Sequence, residues 1–302
     1  MVPILPLQVK LMLALREHRM HHLIWHSVRD NWERIDDESL RDGIRAMGWE
    51  PLRPSVDKNR NRIENNRSGE DFLFMHRQMI IHVNTMLTQI QDPSYPKVEG
   101  WNTIPSPGDF DYPVPVWNTA PDIIKERKTA AYYDNFMVGW ENDYTNPEFL
   151  SQLTLGQLGS KLEYTIHNAM HLRWASDPVT FRPSVFPTNA ENIDLRWDDP
   201  TYDYLADTYS SHVNPIFWKL HGWIDERIGD WMKAHQVTGD VPWSVQWDKN
   251  MMPQHTIVHG PHLMARMSEV AEKDVNRMVQ VANIISKVHL VTPFSVIDDG
   301  MT

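Results

Sequence analysis

The sequence predicts a mainly α fold, a four-helix bundle wrapped by long proline-rich loops. Three observations carry this expectation. Apolar residues recur at three- and four-residue spacings in several long segments, strict two-residue alternation is nowhere sustained, and the connections are unusually long.

Taken in order, residues 7–33 begin with the apolar run VKLMLAL and keep helical spacing through REHRMHHLIWHSVRDNWE. The first fifteen residues are apolar but short, and no basic stretch precedes them. They read as the first turns of a core helix rather than a secretory leader, so a cytoplasmic location is expected. Residues 69–91 and 149–173 carry the same periodicity, as do 214–233 and 262–288, and a shorter helix is expected over 122–138. Between them, 92–121 and 176–204 are rich in Pro, Asn and Asp. Their Trp, Tyr and Phe content argues for packing against the bundle, around the mouth of a site, rather than for disorder. No linker or low-complexity stretch divides the chain. One domain over 1–302 is therefore expected, with a helical appendage over 256–302.

The composition narrows the chemistry. With 302 residues, 41% of them hydrophobic, the chain can bury a sizeable core. Its net charge of −11 offers no net attraction to phosphate backbones or anionic headgroups, so neither nucleic acid nor a membrane is expected as partner. There is no cysteine, which excludes disulfides, thiolate-held zinc, iron–sulfur clusters and thiol nucleophiles. Any metal must be held by imidazole or oxygen.

Fifteen histidines are available for that, and their placement is informative. His18, His21, His22 and His26 lie within nine residues, His167 and His171 form a pair, and His76 and His221 stand singly in apolar surroundings. Residues four apart share a helix face, so an H-x-x-x-H pair can point two imidazoles at one ion while a later helix supplies the third. Two three-histidine sites follow: His22, His26 and His76, then His167, His171 and His221. Within the sequence itself, His18-x-x-x-His22-Leu-x-Trp25 parallels His167-x-x-x-His171-Leu-x-Trp174, which makes His18 with His22 the alternative pair at the first site. Sites made only of imidazole, in pairs, favour copper, with zinc as the rival; di-iron bundles call for several carboxylates.

These residues resemble those of the type-3 copper proteins, the superfamily of tyrosinases, catechol oxidases and hemocyanins. NPIFWKLHGWID, from Asn214 to Asp225, is similar to the tyrosinase signature Asp-Pro-x-Phe-aromatic-x-x-His-x-x-x-Asp, and Trp231 also falls where that family has a tryptophan. His167-Asn168-Ala169-Met170-His171 resembles its His-Asn-x-x-His helix. Asn214 stands for the usual Asp, and Leu220 stands where tyrosinases place a further histidine. GEDFLFMHRQM around His76 is similar to the arthropod hemocyanin and prophenoloxidase segment at the last ligand of the first site. Most tyrosinases place their second first-site histidine just before it, where this chain has Asn66 and Arg67. His21-His22-Leu-Ile-Trp25-His26-Ser-Val28 resembles an arthropod run with ligands four apart, which favours His22 and His26 and leaves His18 and His21 in reserve.

The resemblance implies a dicopper centre in a helical bundle, using dioxygen to hydroxylate a phenol at the ortho position and oxidise the catechol to an o-quinone. Among tyrosinases it is most similar to the bacterial ones that mature the pyoverdine chromophore, so the expected substrate is a small phenol or one linked to a peptide. The resemblance leaves room for a copper chaperone as partner. Three neutral imidazoles per ion leave its positive charge uncompensated and attract a phenolate, so removal of the phenol proton becomes the step needing help. By the same resemblance, Asn168 and Glu163 are the candidates for holding the water that takes it. The residues alone also allow Asn168 a local hydrogen bond and Glu163 the orienting of an imidazole. Other readings are a catechol or o-aminophenol oxidase without the hydroxylation step, a dioxygen carrier, and a two-zinc hydrolase, the last disfavoured by the missing bridging carboxylates. His255, His259 and His262 are expected to be structural, with a gate over the copper mouth as the sharper alternative.

Overall fold

A computed structural model describes residues 4–177, 193–245, 247 and 261–287. The fold is mainly helical, and among the described residues there is no strand, only a single bridge between Val56 and Arg62. The helices are α1 (Leu7–Leu13), α2 (Arg16–Asn31), α3 (Glu38–Ala46), α4 (Ser68–Ile90), α5 (Asp122–Arg127), α6 (Ala130–Tyr132), α7 (Val138–Thr145), α8 (Pro147–Ser151), α9 (Leu155–Leu162), α10 (Asn168–Trp174), α11 (Pro215–Ala234) and α12 (Pro261–Ser286). Wide π turns at Tyr133–Met137 and Glu163–His167 join α6 to α7 and α9 to α10.

Local sequence explains most boundaries. Thr154 and Gln157 form a reciprocal capping box at the start of α9. Asn214 caps α11 by accepting from the Ile216 amide at 2.9 Å, with Pro215 in the first turn, where its missing N–H costs nothing. Three expected helices are interrupted, the one over 149–173 between Ser151 and Leu155, where α8 ends and α9 begins. The expected helix 7–33 is broken at Ala14 and Leu15, where the chain turns so that the Ala14 carbonyl can accept from Arg19 Nε at 3.0 Å. The expected helix 122–138 restarts at Thr129, whose hydroxyl accepts from the Tyr132 amide.

α2 is polar by composition, yet thirteen of its sixteen residues are buried. It lies between two apolar clusters. Its Trp25 joins the larger one, built from α4, α9, α10, α11 and the loop over 92–121. Its Met20, Leu23, Ile24 and Val28 join the smaller one with α3 and with Met278, Val281, Ala282 and Ile285 of α12. A polar helix so enclosed must find partners for its side chains inside the protein. The 92–121 loop packs on the bundle as its aromatic content suggests: the Trp101 amide bonds to the Lys219 carbonyl, and the Trp101 ring lies 4.7 Å from that of Trp174.

Glycines set the closest approaches. A methyl group at Gly159 would sit 2.1 Å from the Gly69 carbonyl oxygen, so α4 and α9 meet backbone to backbone. Gly100 and Gly222 make a second such contact, pressing the loop onto α11. The first contact lies about two turns before both His76 and His167, and it sets how near those side chains come.

Candidate metal centre

Four helical segments deliver the six expected ligands to one buried place: His22 and His26 from α2, His76 from α4, His167 and His171 from the π turn and α10, and His221 from α11. None is more than 4% exposed. The ligand atoms of His22, His26 and His76 all lie within 4.8 Å of one another, as do those of His76, His167 and His221. His171 completes the second half, its Nε2 3.3 Å from Nε2 of His221 and its ring 4.5 Å from that of His167. The two halves adjoin, for the His76 and His221 rings are stacked with centroids 4.1 Å apart.

The open choice at the first site falls to His26. It joins His22 and His76, whereas His18 packs on His82 and His21 packs on Trp49.

Main-chain carbonyls fix four of the rings. Nδ1 of His22 donates to Thr208 at 2.6 Å, His76 to Phe72 at 2.9 Å, His167 to Glu163 at 3.1 Å and His171 to Leu205 at 2.8 Å. A carbonyl only accepts, so each Nδ1 carries the hydrogen and each Nε2 presents its lone pair. Nε2 of His22, His76 and His167 is buried and has no hydrogen-bond partner. Leaving such an atom unsatisfied costs about 1–3 kcal/mol each, a cost that a cation at the focus of the rings would remove. Burial also keeps the rings neutral: it lowers His22 to about 4 and His167 to about 3, and it pushes His26, His76, His171 and His221 well below their ordinary value. Neutral imidazoles with fixed tautomers are what a transition metal requires.

No protein-family model matches the chain, and no curated protein matches it. The assignment of the centre therefore rests on its residues and their geometry.

Glu163 opens the turn that carries His167. Its main-chain carbonyl orients His167, while its carboxylate is held by both guanidinium nitrogens of Arg29 at 2.7 and 3.1 Å. Burial raises the Glu163 carboxyl against the pull of Arg29. Arg29 also donates to the Ser68 carbonyl and stacks 4.4 Å over Trp25, which in turn packs on His26. Asn168 is buried beside His167. Asp225, one turn beyond His221, binds Arg77 through two contacts of 2.6 and 3.1 Å.

Sequence reasoning missed several participants. Phe72 and Phe217 lie one turn before His76 and His221 and pack on those rings at 4.6 and 4.0 Å, so F-x-x-x-H was a readable signal. His212, fully buried in a short 3-10 turn, lies 5.0 Å from the His22 ring. Arg19 donates to the carbonyls of Tyr202, Tyr209 and Asp199, and so holds the segment whose Leu205 and Thr208 carbonyls orient His171 and His22. His255 and His259 lie outside the described residues, as does the His262 side chain.

Proposed function

We propose that this chain is a dicopper oxidoreductase that uses dioxygen to hydroxylate a phenol at the ortho position and to oxidise the catechol to an o-quinone, within a four-helix bundle of type-3 copper character. One observation carries the reading: six buried imidazoles from four helical segments converge with ring nitrogens facing inward, and no carboxylate belongs to either three-histidine group among the described residues. That donor set suits copper better than di-iron or bridged di-zinc chemistry. His22, His26 and His76 would hold one ion, and His167, His171 and His221 the other. Bound copper would supply dioxygen binding and the oxidation of the phenol through the catechol to the o-quinone, four electrons in all, which reduce dioxygen to the inserted oxygen atom and one water.

The protein's own share is positioning and proton handling. The four carbonyls hold the rings in place, and the stacked His76 and His221 set the two halves side by side. Phe72 and Phe217 keep water from the rings. Asn168, next to His167, would hold a water that takes the phenol proton. Glu163, tied to Arg29, fixes the turn carrying His167. The substrate is a small or peptide-linked phenol, and the acidic surface suits a neutral or cationic one.

The depth of the centre favours a second reading. Rings no more than 4% exposed suit a ligand as small as dioxygen, so reversible dioxygen binding is the alternative. Assays of the copper-loaded protein with tyramine, a catechol and an o-aminophenol separate the readings. Turnover of all three supports the proposal; turnover without tyramine reduces it to an oxidase. No turnover, with reversible dioxygen uptake, replaces it by the carrier.

A further inference from the structure

Three histidines outside the six make two contacts near the first site, His82 with His18 and His212 with His22. His82 on α4 is partly exposed, and its ring lies 5.6 Å from that of His18 on α2. His18 is buried one turn before His22, on the same face of α2. His212 lies against His22, centroids 5.0 Å apart. Its Nε2 donates to the Leu13 carbonyl at 3.0 Å, so its Nδ1 holds a lone pair, and that atom is buried without a partner.

A centre whose ligands are all buried needs a route by which an ion enters. Along such a route each stop must bind strongly enough to accept the ion and weakly enough to release it. Three-imidazole sites are too tight for that. A pair of imidazoles suits a cuprous ion in passage, and the net charge of −11 draws cations toward the protein.

We propose that His82 and His18 receive a cuprous ion near the surface and pass it, with His212 as the inner stop, to His22 and the first site. The inference rests on the dicopper reading above and adds the path by which that centre fills.

The test is the rate of copper uptake by the metal-free chain, offered Cu(I) anaerobically from a coloured chelator complex and followed by stopped-flow absorbance. His82→Ala alters a partly exposed residue and leaves the core in place; His18→Gln removes the buried stop while keeping its bulk. Both are expected to fill to the wild-type copper content, but about ten-fold more slowly, equivalent to about 1.4 kcal/mol in barrier. His235→Ala, at a ring bonded to the Leu150 and Leu153 carbonyls, is expected to load at the wild-type rate. Wild-type loading rates in both path variants would overturn the path. So would a lower final copper content, which would make His18 or His82 a resident ligand. If the wild-type chain takes up no copper, the centre itself is refuted, and the path with it.

Discussion

A metal-ligating histidine needs a fixed tautomer as much as a favourable position. Four rings here obtain it from main-chain carbonyls, which leave the inner nitrogens with lone pairs, and those of His22, His76 and His167 have no hydrogen-bond partner. His76 touches both halves of the centre, so His76→Ala should lower copper content to one ion per chain or fewer, measured by elemental analysis of the loaded protein; two ions would contradict its role. Asn168→Gly should cut monophenol turnover far more than diphenol turnover, and equal loss on both would remove Asn168 from the proton step. Acidity should act on the metal-free protein through the same rings. His22 and His167 titrate at about 4 and about 3 when folded but near 6.5 when unfolded. Between those values the unfolded chain binds protons that the folded chain refuses, so stability falls as pH drops from about 6.5 towards 4. Each tenfold difference in a ring's proton affinity between the two states is worth about 1.4 kcal/mol. Glu163, raised by burial, works the other way but is outnumbered by the lowered histidines. Urea midpoints measured from pH 4 to 7 should climb with pH, and a flat series would contradict the neutral, buried rings. At this scale the i,i+4 pairs and the lone His76 and His221 were legible in the sequence. The carbonyls of Leu205 and Thr208 were not, because any residue carries a carbonyl and only the fold aims it.

At the scale of elements, two devices bring the helices to ligand distance. The first is the glycine contact between α4 and α9. Gly159→Ala would drive a methyl group into the Gly69 carbonyl, and overpacking of this kind costs about 1–3 kcal/mol. Thermal denaturation should show the loss, with a drop in copper content, because His76 and His167 separate; full stability and full copper would show that the contact sets nothing. The second is the buried Arg29–Glu163 pair joining α2 to the π turn. Arg29→Met alone leaves a buried carboxylate unpaired and should cost about 3–5 kcal/mol, whereas Arg29→Met with Glu163→Leu should recover most of it. Denaturant unfolding of both variants checks this. The helices themselves were largely readable, since Thr154, Asn214 and Pro215 announce their caps. The break at Ala14 and Leu15 was not, because it answers to Arg19 and a segment nearly two hundred residues away. α3 was also missed, although Asp37 caps it. The π turn at Glu163–His167 has no sequence signature; it shifts the helix by one residue, about 100° of phase, ahead of His171.

For the whole molecule, the two apolar clusters enclose α2 and place its histidine face inside the protein. No helix among the described residues is long and apolar enough to cross a membrane. The chain has no cysteine, and the carboxylates of Glu163 and Asp225 are bound to arginine. The central claim is that two copper ions sit among these six imidazoles and bind dioxygen together. The most direct measurement is to load the metal-free chain anaerobically with Cu(I), count the copper per chain, and admit dioxygen while recording the near-ultraviolet spectrum. Two ions per chain and an intense near-ultraviolet band that appears with dioxygen are the predicted result. Fewer than two ions, or two ions with no such band, would contradict it.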